Sequence, residues 1–218
     1  MRPGSILLAL MAAAHTPAGV GPTGHYRLAD GPDTASELIL LPDGRFDYAL
    51  AAGALDEAAT GSWTSDGKVV RLTTRPKPVP AVFSAAAVAS DPKQGLTIKA
   101  VAPDGSGIAL IDFTITFADG STEEGYTQDY GWSLPPEDHR VPRSITLGIA
   151  MYELVSPPFL LDPAQGNVFT FKLTPNDLGR FDFEATPLDI APGKLIWHRG
   201  GADLEYRLSR GKQGRIAH

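Results

Sequence analysis

The 218-residue chain contains no cysteine. Disulfides, thiolate metal sites and cysteine nucleophiles are excluded together. It also lacks a long apolar run: the longest, Ile6–Ala14, stops at nine residues, well short of the roughly 20 that a membrane-spanning helix needs. Basic residues are in deficit, with 19 Lys and Arg against 25 Asp and Glu and a net charge of −6. Affinity for nucleic acid comes mainly from Lys and Arg neutralising phosphates, so a nucleic-acid partner is not expected. No Gly-x-Ser-x-Gly elbow occurs, and no Asp-x-Asp-x-Asp-Gly loop with a distal Glu. After residue 22 there is no helical period of any length. What is present is 43% hydrophobic residues, enough for a core, together with 23 glycines and 19 prolines. That share of glycine and proline marks a turn-rich folded chain, below the roughly 25–30% typical of low complexity.

The N-terminus combines a basic head at Arg2, the apolar run and an Ala12-Ala13-Ala14 exit. This is the pattern of a secretory signal peptide, with residues 1–14 removed and a cut after Ala18 as the other choice. With no cysteine behind the run, a lipid anchor of the lipoprotein kind is not expected. The mature protein is placed in the periplasm or outside the cell.

The body alternates. Glu37–Leu41, Arg45–Leu50, Lys68–Thr73, Leu96–Val101, Ile108–Phe117, Ser144–Leu147, Val168–Leu173, Arg180–Phe183, Lys194–Trp197 and Leu204–Leu208 all read as strands. Short β-branched and aromatic runs of period two between turn residues are the strand signal. Asp-Gly pairs at 30–31, 43–44, 66–67, 104–105 and 119–120 read as hairpin turns, because this pair tolerates positive φ. Alanine-rich Val82–Ala89 is the one helix candidate, and a loop or an edge strand fits it equally. Arg75-Pro76-Lys77-Pro78-Val79-Pro80 has the alternating prolines of a stiff connector. The expected organisation is all-β. A small antiparallel meander or half-barrel at 22–75 meets a Pro/Ala-rich linker at 76–94. An antiparallel β-sandwich at 95–208 follows, then a flexible tail at 209–218 that gathers Arg210, Lys212 and Arg215. The meander is too short to close, so it is expected to pack on the second unit.

Two stretches carry a family likeness. Leu38-x-Leu40-x-x-Asp43-Gly44-x-Phe46, followed by Gly61-Ser62-Trp63, Gly67 and Leu72, resembles the lipocalin-like half-barrel domains of bacterial envelope proteins. The absent cysteines mean that no metal or redox role carries over. Gly107–Phe117, Asp119-Gly120 and then Thr127, Gly131, Trp132, Leu134 and Pro135 resemble the prealbumin-like sandwich of carboxypeptidase regulatory domains. That resemblance implies a strand-turn-strand corner without chemistry. Gly44-Arg45-Phe46-Asp47-Tyr48 is also echoed by Gly179-Arg180-Phe181-Asp182-Phe183, a pattern that cross-strand pairing within hairpins explains.

The richest polar stretch runs from Tyr126 to Arg143. Tyr126, Gln128, Asp129, Tyr130, Trp132 and His139 put aromatic faces beside amide, carboxylate and imidazole groups, the mixture that holds a sugar or small polar ligand. The same residues also fit an aromatic corner packed on the sandwich. Ser133, Asp138 and His139 do not make a triad, since adjacent Asp138 and His139 cannot orient one another in an extended loop. Glu123 and Glu124 point to opposite faces, and Asp56-Glu57 read as surface charge beside a turn. His25, His139 and His198 lack ligand spacing. No cofactor and no metal is expected. The leading reading is an exported, non-enzymatic interaction or structural module of the bacterial envelope. Its partner is an envelope protein or glycan, or it self-associates through its sheets. A binder working through residues 126–140 and a hydrolase with an unrecognised site stay open.

Overall fold

The computed structural model describes residues 22–29, 33–135 and 137–209. The segment 1–14 expected to be a signal peptide, the Asp-Gly pair at 30–31 and the basic tail beyond Ser209 lie outside them. The first strands are β1 (Gly24–Leu28), β2 (Thr34–Leu40), β3 (Arg45–Ala52), β4 (Leu55–Ser65) and β5 (Val69–Thr74). Then come β6 (Val82–Ala89), β7 (Thr97–Val101), β8 (Asp112–Phe117), β9 (Thr122–Tyr126), β10 (Trp132–Ser133) and β11 (Pro142–Ile149). A 3-10 turn at Ala150–Tyr152 leads to β12 (Leu154–Val155), β13 (Phe159–Leu160) and β14 (Val168–Thr174). The chain ends on β15 (Thr186–Ala191), β16 (Lys194–Arg199) and β17 (Ala202–Leu208). The fold is all-β, as the period-two patterning requires. Among the described residues no helix is long and apolar enough to cross a membrane.

The expected half-barrel is completed from the far end of the chain. Strands β1 to β5 form an antiparallel meander, and β15, β16 and β17 close it in the order β1-β17-β16-β15-β5-β4-β3-β2. Residues 186–208 were assigned to the sandwich on sequence; their pairing with β5 and β1 moves them to the barrel. The segment 76–94 is likewise more than a linker, because it holds β6. The sandwich is inserted between β5 and β15. One sheet runs β10-β7-β14-β6, and the other runs β12-β11-β8-β9 with β13 also on β11. Ile98, Phe169 and Phe171 of the first sheet share a core with Phe113, Ile115 and Ile145 of the second.

Four of the five Asp-Gly pairs are described, and each makes a turn. Gly44, Gly67, Gly105 and Gly120 have φ of 84°, 87°, 88° and 85°. The aspartates accept from the backbone N–H two residues on: Arg45, Lys68, Ser106 and Ser121 donate at 3.1, 2.8, 2.9 and 2.9 Å. Side-chain hydrogen bonds from Arg45, Ser106 and Ser121, and then these backbone bonds, hold the carboxyls of Asp43, Asp104 and Asp119 below the usual range, while Asp66 is held there by the backbone N–H groups of Lys68 and Val69. Gly61 of the Gly-Ser-Trp strand has a packing reason: a Cβ there would stand 2.0 Å from the Thr73 carbonyl oxygen and 2.9 Å from the Phe46 ring.

Val82–Ala89 is an edge strand and not a helix. Phe83 is buried in the sandwich core, and the whole segment pairs antiparallel with β14, with one bulge between Thr170 and Phe171. Tertiary pairing outweighs the helix propensity of its alanines. The strand reading of Arg180–Phe183 also changes. These residues lie in a strap, 175–185, that crosses one end of the barrel and drives Phe181 and Phe183 into it. Thr74 fixes the strap: its hydroxyl donates to the Phe181 carbonyl at 2.9 Å and accepts from the Phe183 N–H at 2.9 Å.

Candidate functional site

The six residues singled out on sequence are spread along the corner between the two sandwich sheets. Tyr126 ends β9 and is exposed, and Tyr130 is 76% exposed at the tip of the following turn. Gln128 and Gly131 close that turn with two backbone bonds of 3.2 and 2.9 Å, while Asp129 accepts from the Tyr130 N–H. Trp132 turns inward, its ring 4.8 Å from that of Phe113. His139 is exposed in the loop after β10. Thr127 is fully buried and ties the corner down, donating to the Ile108 carbonyl at 2.7 Å. The structure brings Trp132 to the core and leaves both tyrosines outside, so these side chains do not line one cleft.

The two carboxylates at 56–57, expected on the surface together, part company in the structure. Asp56 is exposed, but Glu57 on β4 points into the barrel and is 9% exposed. Arg199, at the end of β16, grips it with two hydrogen bonds of 2.6 Å. The Tyr48 hydroxyl donates to Glu57 Oε2 at 3.2 Å, and Ser36 and Tyr206 are joined at 2.9 Å nearby. The Arg199 guanidinium lies over the rings of Phe181 and Trp197, at 4.5 and 5.1 Å. Burial first, then the Tyr206 and Glu57 charges, push the Tyr48 hydroxyl above its ordinary range. It therefore remains a donor. The hydrogen bonds to Glu57 push Arg199 up as well, so its guanidinium stays charged. The one sequence signal was parity: Glu57 shares the inward register of Ala59 and Trp63.

This pair floors a cleft of about 350 Å³ where the strap meets the sandwich. One wall is Lys77–Ala81, the second is Met151–Leu154, and the third is Asp177–Asp182 of the strap. Asp177 joins two walls, since its Oδ2 accepts from the Val79 N–H at 2.9 Å. Lys77 pairs with Glu184 and lies 3.5 Å from Asp182. Glu57 is saturated by Arg199 and Tyr48, and the cleft presents no serine or histidine beside a base. What the arrangement offers is an apolar slot with charges of both signs, suited to binding.

The three histidines among the described residues are far apart in the sequence. His25 Nε2 is 3.0 Å from Glu37, and His198 sits on the outer barrel wall between Asp203 at 2.6 Å and Asp189 at 3.2 Å. Among the described residues no group of three or more His, Asp and Glu is arranged to hold a metal ion. The hydrogen bond to Asp203, then that to Asp189, raises the His198 pKa. Because the folded value lies above the unfolded one of about 6.5, this stabilisation is present below that pH and is lost as pH rises through the folded value. A ring-proton NMR titration is expected to show the raised pKa, and Asp203→Asn to lower it. An unchanged midpoint in that variant would contradict the assignment. No family model matches this chain, and no curated protein or solved structure matches it.

Proposed function

We propose that the protein is an exported, non-enzymatic interaction module of the bacterial envelope, and that it associates with a second copy by strand addition at β6. The observation that carries this reading is the open edge of β6. Among the described residues no strand pairs with its outer side. From Ala85 to Ala89 every residue is exposed, and Val82 and Val88 are 49% and 41% exposed. No charge occurs between Pro78 and Ser90. Natural edge strands are usually blunted by lysine, proline or a covering loop, and β6 carries none of these within its span.

A two-fold partner suits this strand. Antiparallel apposition about Ala86 sets Ala85 against Ala87, Ser84 against Val88 and Val82 against Ser90. Uncharged side chains meet throughout, with Phe83 set against Ala89, and a self-complementary patch is what a two-fold interface requires. The basic head and apolar run at residues 2–14 support export.

Sedimentation velocity across a concentration series is expected to show a dimer. Ala87→Lys should weaken it by at least about tenfold, a charge being the usual guard of an edge. Ala87 is exposed, so circular dichroism of the variant should match the parent. A parent that sediments as a monomer at every concentration, or a lysine variant that dimerises as well as the parent, would refute association at β6.

A further inference from the structure

We infer that the cleft under the strap binds a small zwitterion of the α-amino-acid type with an apolar side chain. Its size, about 350 Å³, is at the lower end of the range for small-molecule sites. Its walls expose large apolar groups: Val79 is 55% and Met151 44% exposed, with Leu154 beside them. The argument for a zwitterion rests on which charges are already used. Glu57 and Arg199 neutralise each other, and Lys77 is taken by Glu184 and Asp182. That leaves the exposed Arg180 guanidinium, which makes no side-chain hydrogen bond or ion pair with a described residue. It also leaves the exposed Glu153 carboxylate, which makes no side-chain hydrogen bond with a described residue although its charge is felt by Arg199, and the second oxygen of Asp177.

These groups are presented by tight turns of left-handed backbone. Glu153 has φ of 52°, and Asn176, just before Asp177, has φ of 44°. Glu153 is the left-handed cap that ends the 3-10 turn. Glu153 and the free oxygen of Asp177 stand at opposite walls of one cleft. A simple anion would meet the two carboxylates, and a simple cation would meet Arg180. A ligand with both charges satisfies all three. Its carboxylate takes the planar fork of Arg180, which suits bidentate pairing. Its ammonium lies between Glu153 and Asp177, and its side chain covers Val79, Met151 and Leu154.

The test is titration of the ¹⁵N-labelled full chain with L-leucine, N-acetyl-L-leucine and L-leucinamide. Leucine is expected to shift the amides of residues 151–154 and 177–182 in a saturable way. Each blocked analogue should bind about tenfold more weakly, the loss expected for one charge-assisted contact. Arg180→Ala should cost a similar factor toward leucine and little toward leucinamide. Glu153→Gly removes the carboxylate while relieving the positive φ, so it should weaken leucine binding without lowering the unfolding midpoint. Equal binding of the three compounds, shifts that map elsewhere, or no saturable shift at millimolar leucine would each overturn the proposal.

Discussion

Replacing Phe183 by alanine is expected to destabilise the protein by about 3–5 kcal/mol, the range for truncating a buried phenylalanine. The ring is 1% exposed. Its centroid lies 5.5 Å from Phe46, 5.1 Å from Tyr48, 4.6 Å from Phe181 and 5.1 Å from Trp197. Those rings come from β3, β16 and the strap, so truncation opens a void that no single strand can fill by shifting. The backbone bonds to Thr74 would hold the strap in place around the gap and hinder collapse. Urea unfolding monitored by circular dichroism measures the loss. A cost below about 1 kcal/mol would mean that the strap is not part of the barrel core.

Arg199→Met is expected to cost about 3 kcal/mol, most of it the penalty of leaving the Glu57 carboxylate buried without its cation. The double variant Glu57→Gln, Arg199→Met should recover much of that loss. Glutamine keeps an acceptor for the Tyr48 hydroxyl, and methionine keeps an apolar stem against Phe181 and Trp197. A double-mutant cycle on unfolding free energies separates the pair from its packing. If the single and double variants are equally unstable, the pair is not what the cleft floor depends on. Arg199 retains 27% side-chain exposure, which keeps the expected figure at the lower end for buried pairs.

The local strand signals were legible because they depend on neighbours only. Arg45–Leu50 alternates, Asp43-Gly44 turns, and β3 follows. The barrel was not legible, because Leu72 and Thr186 are register partners and nothing near either residue names the other. Composition changes at the Pro-rich stretch, but the chain's allegiance changes again near Ala185, where composition does not. Glu57 and Arg199 were missed for the same reason: each is an ordinary charge near a turn until the barrel closes. The aromatic stretch from Tyr126 to Trp132 was conspicuous for its residue types, yet alternation across a corner sends Trp132 inward and Tyr130 outward. The echo between residues 44–48 and 179–183 was visible, and its meaning was not. Phe46, Tyr48, Phe181 and Phe183 meet in one cluster inside the barrel, where pairing within separate hairpins was expected.

The insertion of the sandwich into the barrel separates the two parts of the barrel in the order of synthesis. As the chain is synthesised, β1 to β5 appear first with one edge open, and their closing partners come last. The sandwich, contiguous from β6 to β14, can complete its contacts in between. Once formed, it holds Thr74 and the strap near one another, so the long loop that β15 must close is already shortened and its entropic cost falls. The sandwich is thus expected to act as a folding clamp for the barrel. Slow, late closure of β15 to β17 should dominate the refolding rate, as expected for a sheet whose decisive pairings span most of the chain.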